Sequence, residues 1–348
     1  MQIKKITEID KKKWNEFCNN NSNTWVYHRA SSIINRNNHS FCILDEDRVL
    51  AICPLFLEKK TFDNKVFNTF SLFGLSIPFP VISDKVTGLK QIKKINNIIH
   101  NNIIQLSKDN NVSKVTFNSS SFIYNQFPLT DLLNSFNYYG YSVNVNNKML
   151  LLNLTKSIDD QWANLSKGHR SIIKKYVQDF ELESISKNNS ILNYESFCLR
   201  IREIVDDLKD NEFLFLFDLY KIGLIDFLYI KQNSEVSGGG VFLNYGNKVE
   251  YFASKRFIDN KLPIHHLLIW LSIEKYTNMG FKLMNLGIFS YSSHLNYILS
   301  DKKKNISLFK RGFGVDIKSY PIIEKFFNKE FFSKELNKNE MNFKETII

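Results

Sequence analysis

Near its C-terminus the chain reads SLFKRGFGV, Ser307 to Val315, where Lys310-Arg311 sits together with two phenylalanines and two glycines. Only 13 of 348 residues are glycine, so two within three positions mark a backbone under special demand. Two cations there suit resident or developing negative charge. They equally suit a solvated turn between a helix and a last strand, with the two side chains on opposite sides of an extended segment. Upstream, His265-His266 opens an apolar stretch with helical spacing. A helix start favours anions and lowers the pKa of a nearby imidazole, so either histidine could take a proton or meet a phosphate, or simply mark a polar boundary. Gly238-Gly239-Gly240 lacks the frame of a phosphate loop. In a strand it permits close backbone approach, by a ligand or by a neighbouring element. On the next strand Glu250 and Tyr251 point to opposite faces. Lys167, Arg170, Lys174 and Gln178, joined by Lys175, share one helical face opposite Trp162, Ile172, Ile173 and Tyr176. That face is either a solvated basic surface or an electrostatic track for an anionic polymer.

These residues need a scaffold, and the composition supplies one. With 43% hydrophobic residues, 30 phenylalanines and 6 prolines, the chain can bury a large core and is neither disordered nor collagen-like. Its length predicts two domains. The net charge of +11 fits an anionic partner without demanding one, because lysine outnumbers arginine and rises together with asparagine and isoleucine. Cys18, Cys42, Cys53 and Cys198 are scattered without a CxxC pair, which reads as reduced thiols in a cytoplasmic protein. The N-terminus MQIKKITEIDKKKW has no apolar signal region. FLFLFDLYKIGLIDFLYI, from Phe213, is interrupted by Asp218, Lys221 and Asp226 and reads as a core helix running into a core strand.

The patterns predict a hairpin over Ser40–Leu44 and Val49–Leu57, a loop over Phe70–Val81, helices over Leu89–Leu106 and Leu129–Phe136, and one strand over Ser142–Leu154. A second unit opens near Ile158 with a helix capped around Ser157 and bent at Gly168. Strands FLYIKQ, EVSGGGVFLN and KVEYFASKR follow, then a helix from Ile264 to Asn278 stopped by Gly280, then strand KLMNLGI. Lys302 to Asn305 reads as a flexible basic loop.

In that order, WANLSKGHRSIIKK, SGGGVFLNYGNKVEYFASKR, HHLLIWLSIEKYTNMGFKLMNLG and LFKRGFG resemble the FemABX-like acyltransferases, two-domain relatives of the GNAT acetyltransferases. The resemblance spans Asp160 to Val315. It implies an α/β chain of two tandem GNAT-like domains, each a mixed β-sheet flanked by helices, at 1–156 and 157–330 with a tail at 331–348, and an acceptor in the cleft between them. It further implies transfer of an acyl group from coenzyme A, or an aminoacyl group from tRNA, to an amine of a cell-envelope glycan or nucleotide-sugar precursor. Acyl-CoA is slightly favoured, since no sustained heptad arm appears, and no metal is called for. Lys310 matches the lysine that relatives place facing the reaction channel, and His265 and His266 are candidates for the amine proton. Arg311, Gly239, Glu250, Tyr251, Arg256, Asn285 and Arg170 are the implied donor- or substrate-binding positions. Where many relatives read Asp-x-Gly-Gly, this chain has Asn285-Leu286-Gly287-Ile288, so a carboxylate and a glycine are missing. That departure keeps a rival open: a catalytically silent module holding RNA or an anionic glycan through its basic faces. Besides the small-molecule or glycan-precursor substrate, the partners expected are tRNA and a peripheral membrane surface.

Overall fold

The computed structural model describes residues 1–34, 37–118, 135–145, 147–206, 208–258, 262–289 and 300–344. Its backbone contacts form two units, Met1–Asn147 with Ser319–Ile348, and Lys148–Tyr291 with Ser300–Lys318.

In the first unit, strands β1 (Gln2–Lys5), β2 (Phe41–Asp45), β3 (Arg48–Cys53) and β7 (Val81–Ile82) make a four-stranded sheet in the order β1-β2-β3-β7. The β2–β3 hairpin turns at Glu46, whose φ of 52° is left-handed. The predicted second arm does not run on to Leu57. It stops at Cys53, and β4 (Leu57–Phe62) starts another sheet with β5 (Lys65–Phe70), β8 (Val112–Asn118), β17 (Ile322–Phe326) and β9 (Ser142–Asn144), while β6 (Ile77–Pro78) pairs with β8. The helix Leu89–Asp109 buries Ile92, Ile95, Ile99 and Ile103, the face that its spacing predicts. The helix expected at Leu129–Phe136 lies mostly outside the described residues.

The expected boundary after residue 156 and the separate tail from 331 differ from this division. Ser142–Leu154 is two strands in two sheets, and its apolar second half, β10 (Lys148–Asn153), belongs to the second unit. The helix Lys329–Lys344 is anchored on the first unit, with Phe331 fully buried against Phe62 and Phe67 and Glu335 ion-paired to Lys60 at 2.6 Å and Lys114 at 2.7 Å.

The second unit has one seven-stranded sheet in the order β11 (Glu181–Ser186), β12 (Ile225–Gln232), β13 (Glu235–Tyr245), β14 (Lys248–Arg256), β15 (Leu283–Phe289), β10, β16 (Asp316–Ser319). The Asp210–Lys221 helix runs into β12, as FLFLFDLYKIGLIDFLYI predicts. β12, β13 and β14 are successive antiparallel neighbours. β14 and β15 are parallel and therefore need a crossover, which the Ile264–Asn278 helix provides. That helix buries Leu267, Leu268, Trp270, Ile273 and Tyr276 and ends before Gly280, whose φ of 78° only glycine adopts freely.

The glycine run on β13 lets this helix sit close. A Cβ on Gly238 would come within 2.6 Å of Ile264, and one on Gly240 within 3.0 Å of Leu268, both on the helix side. Gly239 faces the other way, where a Cβ would fall 2.7 Å from the Tyr229 ring. Of the two readings of the run, close approach by neighbouring elements is what the packing displays.

Candidate functional site

β14 and β15 pair only from Lys248↔Leu283 to Glu250↔Asn285. Beyond that point β14 continues to Arg256 while β15 stays paired to β10 as far as Lys148↔Phe289. Two parallel strands thus part at their carboxyl ends, next to the start of the Ile264 helix. In open α/β sheets such a split is where ligands enter, because backbone groups lose their strand partners there.

Lys310 reaches into this split. SLFKRGFGV is not an extended segment: Lys310 and Arg311 close a helix, Asp301–Arg311. The Lys302–Asn305 stretch, expected as a loop, forms its first turns because Ser300 caps it, accepting from the Lys303 N–H. On a helix successive side chains diverge by about 100° rather than lying opposite. Arg311 accordingly points to solvent, whereas the Lys310 ammonium lies 5.1 Å above the Tyr251 ring centroid. It also lies 3.1 Å from where a Cβ on Gly287 would be. Gly287 itself has a φ of 96°. Its N–H donates to Asn285 Oδ1 at 2.8 Å, and the Asn285 side chain is fully buried. A neutral amide accepts that bond as a carboxylate would, so the Asn-for-Asp departure leaves the local backbone shape served.

Burial lowers the Lys310 pKa to about 8, with the Glu250 charge pulling the other way. Among the described residues the Lys310 ammonium has no hydrogen bond or ion pair. Tyr251, packed in the core, is pushed up to about 12 by burial and stays a phenol at neutral pH. Its hydroxyl is hydrogen-bonded to Ser254, and Ser254 Oγ lies 3.0 Å from Nδ1 of His265. Burial first, then the charges of Arg256 and Lys310, lower the His265 pKa, so the imidazole is neutral at pH 7. Tyr251, Ser254 and His265 therefore form a continuous hydroxyl–imidazole chain beside the Lys310 ammonium.

What holds the lysine there is a second cluster. His169 Nε2 donates to the Phe309 carbonyl at 2.9 Å, and its Nδ1 lies 2.9 Å from Ser166 Oγ. The His169 ring packs against His266 at 4.7 Å and Phe313 at 4.6 Å between centroids. The bend expected at Gly168 occurs earlier, at Leu165-Ser166, because Ser166 ends the Ile158–Asn164 segment and caps the Lys167–Tyr176 helix. The two glycines of the opening stretch serve this contact. A Cβ on Gly312 would lie 2.4 Å from the His169 ring, and one on Gly314, at φ 75°, 2.8 Å from Asn164.

Of the residues singled out in the sequence, Lys310, Tyr251, Glu250, Asn285 and His265 converge on the strand split. Arg256 bears electrostatically on His265. His266 sits in the aromatic cluster instead, its pKa lowered to about 4 by burial, then by His169 and His265. Arg170 turns back to donate to the Ala163 carbonyl at 3.1 Å, while Lys167, Lys174 and Lys175 remain exposed on that helix. Gly239 packs on Tyr229, away from the Ile264 helix. Ser254, His169 and Ser166 are not among the positions the sequence points to, and Gly287 figures there only in the Asn285–Ile288 departure. Ser254 three residues after Tyr251 carries no spacing signal, because a twisted, bulged strand, not a period, brings them together.

All four cysteines are buried and unbridged. Among the described residues no group of three or more His, Cys, Asp or Glu is placed to hold a metal, and no helix is long and apolar enough to cross a membrane. No protein-family model matches the chain, and no curated protein sequence does. Solved structures do match it. FemX is similar over 96% of this chain and 99% of its own, with a TM-score of 0.70 at 9% identity. L-PGS from Bacillus licheniformis is similar over 94% of this chain and 95% of its own, with a TM-score of 0.59 at 11% identity. A tandem GNAT protein from the clavulanic acid biosynthesis pathway is similar over 91% and 94%, with a TM-score of 0.52 at 8% identity. With its mixed sheets flanked by helices and these neighbours along nearly its whole length, the chain shares the fold of FemX and of the tandem GNAT protein.

Proposed function

We propose that the protein is an N-acyltransferase that moves an acyl group from an activated donor to an amine. The observation that carries this reading is the Lys310 ammonium, held without an ion-pair partner among the described residues where the parallel strands β14 and β15 part. In the proposed reaction a neutral acceptor amine adds to the donor carbonyl, forming the N–C bond. Negative charge gathers on the carbonyl oxygen, where Lys310 offsets it. The amine proton passes to His265 through the hydroxyls of Tyr251 and Ser254. The C–S bond of a coenzyme A thioester, or the C–O bond of an aminoacyl-tRNA ester, then breaks and the leaving group departs protonated. Glu250, Arg256 and Asn285 border this centre and are proposed to position donor or acceptor. The exposed Lys167, Lys174 and Arg311 are proposed to attract anionic substrates over longer range. The acceptor that the motif resemblance favours is an amine of a cell-envelope glycan or nucleotide-sugar precursor.

The test is transfer from acetyl-CoA, and separately from charged tRNA, to amino-sugar nucleotides, with product read by mass spectrometry. Lys310→Met should lower kcat about 100-fold with little change in KM, as for loss of one oxyanion-stabilising group. Unchanged turnover in that variant would sink the assignment. Absence of transfer from every donor, combined with RNA binding that weakens steeply with salt, would favour a binding module instead.

A further inference from the structure

We propose that Lys310 is also a modification site, at which the protein is acylated on its own Nζ by activated acyl compounds such as acyl phosphates and acyl-CoA thioesters. Three features of its setting support this. The ammonium is held in the split between β14 and β15, over Tyr251 and beside the bare Gly287 backbone, so no side chain of residue 287 shields it. It has no hydrogen bond or ion pair among the described residues, so no carboxylate must be displaced before it reacts. The helix end that carries it is anchored from behind, since His169 donates to the Phe309 carbonyl and Phe313 is buried, which fixes the backbone from which the amine projects. The charged and titratable groups facing it are Glu250 and Tyr251 from β14 and His265 from the Ile264 helix; Arg311 follows it on its own helix.

In the step, the deprotonated Nζ adds to the acyl carbonyl carbon. The N–C bond forms, the C–S or C–O(P) bond breaks, the thiolate or phosphate leaves, and one amine proton goes to the leaving group or to water. The product is a neutral amide, so the positive charge at the split is lost. Where Lys310 serves transfer as proposed above, this modification switches transfer off.

Internal controls lie on the same helix, where Lys302, Lys303 and Lys304 are exposed. Burial holds the Lys310 pKa at about 8, against the usual 10.5. At pH 7.5 the neutral fraction is then roughly 200-fold larger than for an ordinary lysine. Lower basicity reduces nucleophilicity by about tenfold across that difference, assuming a dependence like that of thiols. The expected rate advantage is about 20-fold.

The experiment incubates the full chain at pH 7.5 with acetyl phosphate and, in a separate arm, with acetyl-CoA. Acetylation at each lysine is followed by peptide mass spectrometry and repeated from pH 6.5 to 10. Faster acetylation of Lys310 than of the three control lysines in either arm, with a midpoint near pH 8, is the expected result. Glu250→Gln should move the midpoint lower, because Glu250 stabilises the ammonium. Acetylation of Lys310 no faster than its helix neighbours in both arms overturns the proposal, as does a midpoint near the ordinary lysine value. Neither arm needs an acceptor or a transfer product. Its failure therefore leaves the transferase reading standing, and failed transfer assays leave this result intact.

Discussion

Gly312→Ala tests the link between the glycines of SLFKRGFGV and the position of Lys310. At Gly312 φ is −61°, an ordinary helical value, so conformational freedom gives no reason for glycine there. Replacing such a glycine with alanine normally stabilises by about 0.4–1 kcal/mol by restricting the unfolded chain. Here the new Cβ would sit 2.4 Å from the His169 ring at Cε1 and 2.7 Å from both ring nitrogens. The ring cannot easily yield, being bonded to the Phe309 carbonyl and Ser166 at 2.9 Å each and packed on His266 and Phe313. Overpacking of this kind costs about 1–3 kcal/mol, and loss of one of the two bonds adds about 1. Net destabilisation should be about 2 kcal/mol, a fall in Tm of roughly 4–8 °C for a unit of this size. Gly168→Ala serves as the matched control: it lies in the adjoining helix with nothing within 4 Å of the new Cβ, and should be neutral or stabilising. In a double-mutant cycle His169→Ala with Gly312→Ala should be less destabilised than the sum of the two. A Gly312→Ala variant as stable as Gly168→Ala, or strict additivity in the cycle, would refute the packing argument.

Other outcomes follow from the same geometry. Because the Lys310 pKa is about 8 when folded and higher when unfolded, the unfolded chain binds more protons between the two values, and stability rises with pH across that window. Lys310→Met should therefore be more stable than the parent at pH 7, by about 1–3 kcal/mol after allowance for solvent screening, and the gain should vanish by about pH 10.5 in urea titrations. A gain that persists unchanged at high pH contradicts a charge-burial origin. His266, held down to about 4, makes the unfolded state the better proton binder between that value and 6.5, so stability should decline as pH falls through the range. His266→Leu should flatten that decline, and an unaltered acid limb would assign it to other groups. Gly238→Ala should destabilise by about 1–3 kcal/mol, since its Cβ would meet Ile264 at 2.6 Å and the Lys255 carbonyl at 2.8 Å; a neutral result would place the reason for that glycine elsewhere.

Periodicity made the elements of the second unit readable. Ile264–Asn278 emerges with the bounds its apolar run and Gly280 define, and FLYIKQ, EVSGGGVFLN and KVEYFASKR become three adjoining strands. The ordered motifs gave the fold class, and Lys310 could be chosen as a residue of interest. The sequence misplaced what depends on partners distant in the chain. Ser142–Leu154 reads as one strand ending in the apolar run MLLLNL, yet its two halves pair in different sheets. Lys302–Asn305 looked like a loop because charge alone does not reveal the Ser300 cap.

Local pattern is written in neighbouring residues, so the sequence by itself determined the strands, the crossover helix and the lysine ahead of two glycines. The surroundings of that lysine are set by side chains brought from β14, β15 and the Ile264 and Lys167 helices, hundreds of atoms apart along the chain. Only the tertiary structure could decide that Lys310 turns inward while Arg311 faces water, that Ser254 joins Tyr251 to His265, and that Gly312 is bare because a histidine ring lies against it. Burial and proximity across elements fix those features, and no spacing along one segment encodes either.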